Sequence, residues 1–402
     1  MTFALLLWAL LGHAALGVAV INRIHAYGWP RWFIKAITAV LFALLPMLPL
    51  LIVWWLSQVG LAEATAWGHY RSPDGIRYGP IALRIYLATC SLFAAVAVYD
   101  WLCRHVLHRP PAVLRLHRSR SMEPEPIALQ SPEHPHHFLV HLPGNESLKL
   151  DLTERAIDLP RLPSELDGLS IVHLSDLHFT GLIGRPYFEE VARLCNELEP
   201  DLVAVTGDLI DRTPCIDWIP DTLGRLRARY GVYFVLGNHD VVVDVERLLR
   251  VLREQGLVHL GGRWIETEIR SRRVVLAGSE APWIMPAADL SGCPPRGDAP
   301  LRILLSHSPD QLAWARAADA DLLLAGHTHG GQIRLPLIGP IFAPSRAGVK
   351  YAAGLFHAPP TVLHVSRGIS GDIPLRMNCT PEVAQLRLHA TRNVDCKLKI
   401  AN

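Results

Sequence analysis

The sequence predicts an α/β domain that follows an N-terminal bundle of about three membrane-spanning helices. Three apolar stretches with little or no charge fill the first hundred residues. Beyond residue 146, short runs of Val, Ile and Leu alternate with amphipathic segments, which is typical of strands buried on both faces. With 402 residues, 50% of them hydrophobic and only 19% charged, the chain is too apolar to be disordered, and a purely soluble protein is disfavoured.

The apolar stretches are close to the roughly 20 residues that a helix needs to cross a bilayer. They predict a membrane region over 1–108, with helices at about 3–21, 36–60 and 81–103. The first stretch could instead be a signal peptide, although it has no basic n-region and no obvious cleavage site. The third could be a buried helix, because Arg84 and Asp100 lie near its ends.

The basic residues of the loops predict the orientation of these helices. Arg23, Arg31 and Lys35 follow the first stretch, and five arginines follow the third between 104 and 120. The positive-inside rule places both segments in the cytoplasm. We therefore expect an integral protein of a bacterial inner membrane whose larger domain is cytoplasmic.

The cysteine content and net charge exclude several other classes. The seven cysteines include no CxxC pair, so reduced thiols facing the cytosol are expected rather than a disulfide framework or a thiolate zinc site. The net charge of +2 shows no polyanion-binding signature, so no nucleic-acid partner is expected.

A Pro/His-rich segment at 109–145 lacks a helical period and is interpreted as a linker near the membrane. Its His134, His136 and His137 could bind a metal, but an uncommitted polar linker is favoured. The domain that follows spans 146–402, and two amphipathic helices are expected at Tyr187–Leu198 and Glu246–Gln255.

Five apolar runs of this domain each end in metal-ligand residue types. These residues are Asp176 with His178, Asp208, Asn238 with His239, His307, and His327 with His329. In open α/β sheets, sites form just outside the carboxyl ends of the strands, so residues far apart in sequence can meet there. We expect them to share one small volume.

The donor set predicts the kind of metal site. Asp, Asn and His offer only oxygen and nitrogen, which suits Mn, Fe, Zn, Ni or Co rather than a soft thiolate site. Without His239, two Asp, one Asn and four His make seven donors, which are too many for one ion with an open position and fit two ions that share a bridging carboxylate. Two such ions clamp a phosphoryl group and activate water near neutral pH.

Other polar residues have simpler roles: His173 and His364 are expected to be core histidines, and Asp211 a turn residue or a support to a ligand.

These motifs resemble those of the calcineurin-like metallophosphoesterase family. The matching segments are SDLH (175–178), GDLID (207–211), GNHD (237–240), SHSP (306–309) and GHTHGG (326–331), in the family's order. The resemblance covers about 146–402 and implies a four-layer α/β/β/α sandwich. It implies two divalent ions, manganese favoured: Asp176, His178 and His329 would hold one, Asn238, His307 and His327 the other, and Asp208 would bridge them.

The resemblance also assigns a role to His239, which looks like the family's acid or phosphate-orienting histidine. A purely structural histidine is the alternative. Asp240 is expected to fix the His239 ring through a hydrogen bond.

The complete set of seven ligands leads us to expect hydrolysis of a phosphodiester or pyrophosphate. The form GHTHGGQIRLP, followed by VSRGIS and PEVAQLRL, resembles the membrane-associated branch of the family, which has members assigned to UDP-2,3-diacylglucosamine. A lipid-linked substrate such as UDP-2,3-diacylglucosamine, in lipid A synthesis, is one expectation. The alternatives are phosphodiesterase or phosphatase activity on soluble or other substrates, a membrane sensor with a hydrolase output, and a catalytically dead scaffold. Pro336, Leu337, Ile338 and Ile341 could form an apolar lip for acyl chains, although packing as loop core is favoured.

Overall fold

The computed structural model describes residues 2–59, 71–72, 75–76, 79–107, 111, 113–122 and 137–391. The chain divides into two compact units, Met1–Arg109 and Pro110–Asn402. His134 and His136 of the predicted linker lie outside the described residues.

The first unit contains three helices that are long and apolar enough to cross a membrane. Their bounds are α1 Thr2–Ile24, α2 Arg31–Val59 and α3 Gly79–His105, with a short hairpin of β1 Arg71–Ser72 and β2 Gly75–Ile76. Helix α1 packs against both α2 and α3. Gly12 allows the close approach of α1 to α3, because a Cβ there would lie 1.7 Å from the carbonyl oxygen of Cys90.

The second unit is built on two mixed sheets. The first has seven strands in the order β3-β4-β17-β5-β6-β7-β8. These strands are β3 Leu114–Met122, β4 Leu150–Leu159, β5 Leu169–Leu174, β6 Leu202–Thr206, β7 Val232–Val235, β8 Val258–His259 and β17 Glu382–Ala390. Strands β5, β6, β7 and β8 are mutually parallel, so their carboxyl ends share one edge of the sheet.

The second sheet has six strands in the order β15-β16-β12-β11-β10-β9. They are β9 Trp264–Ile269, β10 Arg272–Ser279, β11 Leu301–Ser306, β12 Leu322–Ala325, β15 Gly354–Ala358 and β16 Thr361–Val365. Strands β10, β11, β12 and β16 run parallel. A small hairpin, β13 Arg334–Leu335 with β14 Gly339–Pro340, lies between β12 and β15 in sequence.

Alternating side chains of the central strands pack on opposite faces, which creates the layers. On β5, Val172 and Leu174 join the core beneath helices α4 Arg185–Glu197 and α5 Val245–Glu254. Leu169 and Ile171 join a second core that they share with the second sheet. A third core packs helix α6 Leu312–Ala317 on the outer face of the second sheet. The result is the predicted four-layer α/β/β/α sandwich, and both predicted helices are present.

Strand β3 differs from the sequence expectation, because residues 114–122 were assigned to the linker. They form an edge strand that pairs antiparallel with β4. Its sequence, LRLHRSRSM, is mostly exposed and carries three arginines. Charged edge strands are common because charge prevents edge-to-edge aggregation, and that charge hides the apolar pattern by which strands are recognised.

A charged network lies buried among the strands. Glu382 pairs with Arg155 at 2.7 Å and with Arg367 at 3.3 Å. His364 lies 3.1 Å from Arg155, and its Nδ1 lies 2.8 Å from Nδ1 of His173. His173 and His364 are therefore buried, hydrogen-bonded core residues, as predicted. Burial lowers the pKa of His173 to about 3, so this histidine is neutral.

Candidate metal centre

The structure brings the predicted ligand residues together at the carboxyl ends of five strands. Their side chains form two groups that share one residue. The first group is Asp176, His178, Asp208 and His329, and the second is Asp208, His307 and His327. Asn238 joins the second group, since its Oδ1 lies 3.1 Å from Nε2 of His307.

In the first group, nitrogen and oxygen atoms face one another at short range. The Nε2 atoms of His178 and His329 are 3.2 Å apart. The same nitrogen of His329 lies 3.5 Å from Oδ1 of Asp176. The carboxylate of Asp176 is also fixed by a hydrogen bond that it accepts from the backbone N–H of His327.

In the second group, three electron-pair donors surround Nε2 of His307. They are Nδ1 of His327 at 3.0 Å, Oδ1 of Asn238 at 3.1 Å and Oδ2 of Asp208 at 3.2 Å. Such a cluster is stable only when a positive charge, either a proton or a metal ion, lies among the donors.

Asp208 stands between the two groups. Its Oδ2 lies 3.2 Å from Nε2 of His307 and 3.6 Å from Nε2 of His178. Its Oδ1 is already used, because it accepts the backbone N–H of His239 at 2.7 Å. One oxygen therefore fixes the carboxylate, and the other is presented to both groups, as a bridging ligand requires.

The opposite ring nitrogens of three histidines face hydrogen-bond acceptors, and that of His329 also lies 3.4 Å from a guanidinium nitrogen of Arg376. Nδ1 of His178 donates to Asp211 at 2.8 Å, that of His307 to the carbonyl of Thr206 at 2.8 Å, and that of His329 to the carbonyl of Ser370 at 3.1 Å. Each Nδ1 therefore carries a proton, and Nε2 is the ring atom turned into the cluster, where it can bind a metal once it has lost its own proton. This arrangement is typical of metal-ligating histidines.

The pKa values of the clustered histidines follow from their neighbours. Burial alone would lower the pKa of His178 and His307, but the neighbouring carboxylates outweigh it and raise these values to about 10 and about 9. Burial acts with His178 and Arg376 to hold the pKa of His329 well below its usual range. Without a metal, protons on His178 and His307 neutralise the buried carboxylates.

The ligands lie on unusual backbone. Asp176, His178, Asp208, His327 and His329 all have positive φ, between 47° and 72°. Residues other than glycine rarely adopt this left-handed conformation, and it clusters at functional sites where the surrounding fold enforces it. The fold around the strand ends, and not the local backbone preference of these residues, therefore holds the ligands in place.

His239 lies beside the first group, with its ring 4.6 Å from that of His178. Its Nδ1 donates to Oδ1 of Asp211, whose other oxygen accepts from His178. The expectation that Asp240 fixes this ring is wrong. Asp240 instead accepts backbone N–H groups of Leu209 and Ile210, and of Gly237 in its own turn.

Sequence reasoning missed two further residues around the site. Arg376 is buried and donates to the carbonyls of His329 and Ser370, so it ties the loop after β16 to a ligand. Trp283, after β10, packs its ring 4.7 Å from that of His327. No motif marks Arg376, and Trp283 is not a metal-ligand residue type, so neither residue stands out in the sequence.

The residues present fit a pair of divalent metal ions. Nitrogen and oxygen lone pairs converge, a carboxylate oxygen is shared, and the opposite ring nitrogens set the tautomers. The layered sandwich with this cluster at its strand ends defines a metal-dependent phosphoesterase domain.

Comparison with known proteins identifies the family. The model of the calcineurin-like phosphoesterase family matches residues 169–331. The chain is 33% identical to phosphodiesterase YaeI of Escherichia coli (strain K12) over 224 residues, which cover 54% of this chain and 81% of that protein. It is 30% identical to the uncharacterized metallophosphoesterase YkuE of Bacillus subtilis (strain 168) over 256 residues, covering 60% and 86%.

A third relative is described as a transmembrane protein. The chain is 32% identical over 272 residues to the transmembrane protein with metallophosphoesterase domain of Bos taurus, covering 60% of this chain and 57% of that protein. The chain belongs to the calcineurin-like phosphoesterase family and is a hydrolase of the metallophosphoesterase class. Its three apolar helices and its similarity to a transmembrane relative indicate membrane anchoring.

Proposed function

We propose that this protein is a membrane-anchored phosphoesterase that hydrolyses a phosphodiester or pyrophosphate with two divalent metal ions. The observation that carries the proposal is the position of Asp208, whose Oδ2 lies within 3.6 Å of a histidine nitrogen in each group. A carboxylate shared in this way joins two ion sites into one centre.

The proposed ligands are those expected from the motifs. Asp176, His178 and His329 would hold one ion, and Asn238, His307 and His327 the other, with Asp208 bridging. Mn²⁺ is the first ion to test, and Fe, Zn, Ni and Co suit the same donors. When bound, such ions supply Lewis-acid polarisation of the phosphoryl group and activate water.

The chain's own residues would do the rest of the chemistry. His239 is about one-fifth exposed, and Asp211 occupies its Nδ1, so Nε2 is the atom left to meet substrate. We assign it the transfer of a proton to the leaving oxygen. Asp211 holds the rings of His239 and His178 together, so the acid and a metal ligand keep one relative orientation.

The substrate is proposed to be lipid-linked, with UDP-2,3-diacylglucosamine as the first compound to test. Support comes from the helices of the same chain, because a tethered site meets membrane lipids at high effective concentration. The basic loops favour a cytoplasmic domain in a bacterial inner membrane. Each of the seven proposed ligand positions carries a competent donor, which argues against a dead scaffold.

The test uses the full chain in detergent with Mn²⁺ and an aryl phosphodiester. Asp208→Ala and Asn238→Ala are expected to abolish hydrolysis, whereas Asp217→Ala, at an exposed carboxylate paired with Arg247, should retain it. Hydrolysis that survives both ligand substitutions would reject the proposed site. Rapid cleavage of soluble nucleotides with UDP-2,3-diacylglucosamine left intact would reject the lipid-linked substrate but not the chemistry.

A further inference from the structure

The exposed apolar side chains of the domain are concentrated at one edge. Of the twelve exposed large apolar side chains among the described residues of the second unit, nine lie on the segments that follow the carboxyl ends of β7, β10, β12 and β16, and the other three, Leu116, Phe138 and Leu142, precede β4. We call this set the apolar rim: Val241, Val242, Met285, Ile333, Leu335, Leu337, Ile338, Phe342 and Ile373. These strand ends also carry or flank the metal centre, so the segments of the rim leave the sheets at the same edge as the metal centre.

The β13–β14 hairpin is the most prominent part of the rim and is anchored to the metal loop. Arg334 donates through Nε to the carbonyl of Gly330, next to the ligand His329, at 2.7 Å. Gly331 packs so closely on Pro340 that a Cβ would lie 2.4 Å from the Cβ of that proline. The position of the hairpin is therefore coupled to the metal centre.

The tip of the hairpin does not follow the usual rules for a turn. Leu337 is 86% exposed and has a φ of +65°, a conformation in which glycine or asparagine is favoured. Pro336 and Ile338 beside it are also exposed. The expectation that this segment packs as loop core is wrong for these three residues. Neither burial nor backbone preference accounts for a leucine at this position.

The charge of the surrounding segment is one-sided. Residues 322–371, up to Asp372, contain no Asp or Glu. Of their four basic residues, Arg346 pairs with Asp310, and Arg367 pairs with Asp151 and Glu382, which leaves Arg334 and Lys350 available to a bilayer. Exposed apolar side chains combined with basic ones are typical of surfaces that bind the interface of an anionic bilayer. A soluble ligand would explain the positive charge but not the exposed apolar tip.

We propose that the apolar rim is a docking surface for an anionic lipid bilayer, with the tip of the β13–β14 hairpin inserted at the level of the headgroups. A bilayer is the expected partner because three helices of this same chain are long and apolar enough to cross one. Docking would hold the metal centre against the headgroups, where a lipid-linked phosphate lies. The inference rests on the proposed membrane anchoring and does not depend on hydrolysis.

The experiment reports the surroundings of the hairpin tip directly. Leu337→Cys is labelled with an environment-sensitive nitrobenzoxadiazole in the full chain, with Cys103, Cys293 and Cys396 replaced by serine. The chain is reconstituted into nanodiscs of phosphatidylglycerol and phosphatidylcholine, with and without doxyl-labelled lipid. Glu254→Cys is the matched control, because it is exposed at the end of α5 remote from the metal edge.

Docking predicts that the label at 337 shifts to shorter emission wavelength and is quenched by doxyl lipid, and that the label at 254 does neither. The shift should shrink when phosphatidylcholine replaces all phosphatidylglycerol, and when Ile338→Glu is added. A label at 337 as solvent-exposed as that at 254 would overturn the proposal. Shielding without doxyl quenching would also overturn it, in favour of a protein partner. Failure of the chain to enter nanodiscs would instead reject the anchoring.

Discussion

Gly237 lies so close to Asp208 that a Cβ atom on Gly237 would stand 2.2 Å from Oδ1 of the aspartate. The same oxygen accepts the backbone N–H of His239 at 2.7 Å. The turn formed by GNHD (237–240) therefore contacts Oδ1 of Asp208, and Oδ2 remains directed at His178 and His307. A methyl group at this position cannot be accommodated unless the carboxylate moves.

Gly237→Ala is expected to displace Asp208 and disable the centre. Misplacement of a reacting group by about 1 Å typically costs on the order of 100-fold in rate, and overpacking about 1–3 kcal/mol in stability. Hydrolysis of an aryl phosphodiester and bound metal per chain are the measurements. Gly292→Ala is the control, because nothing lies within 4 Å of its Cβ position. Equal activity of the two variants would show that the close approach has no role.

Asp211→Asn is expected to weaken metal binding, although Asp211 is not a proposed ligand. Its two oxygens accept from Nδ1 of His178 and of His239, and an amide can accept from only one of them. Loss of such a support typically costs about 10–100-fold in metal affinity or activity. Titration of the metal-free chain with Mn²⁺ measures it, with Asp217→Asn as the control. Unchanged affinity together with an unchanged pH–rate profile would contradict this role.

The sequence predicts the ligand residues of the site but not all of the residues that hold them in place. The ligands could be predicted because strand-end residues recur in a fixed order, and strand ends meet in this class of sheet. The partner of His239 could not be predicted, because Asp211 and Asp240 both lie in turns beside the site and only backbone geometry decides between them. The left-handed backbone at Asp176 likewise depends on tertiary contacts and not on local preference.

The same limit applies to the edges of the fold. The buried strands carry apolar runs that reveal them, whereas β3 carries arginines along an exposed edge. The hairpin tip was expected to be buried because apolar residues usually are. Its exposure is a property of the turn at Leu337, which only the structure reveals.

Metal binding is expected to strengthen as the pH rises from about 6 to about 8, because ligand histidines must lose protons. In the metal-free site the raised pKa values of His178 and His307, about 10 and about 9, keep both rings protonated below those values. Each proton displaced makes the affinity rise by about tenfold per pH unit. Calorimetry in buffers of different ionisation enthalpy counts the protons released. Binding without proton release at about pH 7 would contradict the protonated metal-free site.

Glu382→Gln is expected to destabilise the fold and flatten its acid sensitivity. Burial alone would raise the pKa of Glu382, but Arg155 and Arg367 outweigh it and hold the pKa well below its usual range. The ionised form therefore stabilises the fold above the unfolded pKa of about 4.3, and this contribution is lost as the pH falls through the lower folded value. Breaking a buried pair typically costs about 3–5 kcal/mol.

Thermal unfolding of the full chain across the acid range measures this effect. The control is Glu190→Gln, whose exposed pair with Arg193 is expected to contribute about 0–1 kcal/mol. Equal melting temperatures for the two variants at neutral pH would show that the buried network does not stabilise the fold.

The metal content of the full chain, after equilibration with Mn²⁺ and removal of unbound ions, tests the central proposal most directly. Two ions per chain are expected for the unaltered protein and for Asp217→Asn. No more than one is expected for Asp208→Ala, which removes the shared oxygen, and hydrolysis should be lost with it. Two retained ions and undiminished hydrolysis in Asp208→Ala would contradict a centre bridged by Asp208.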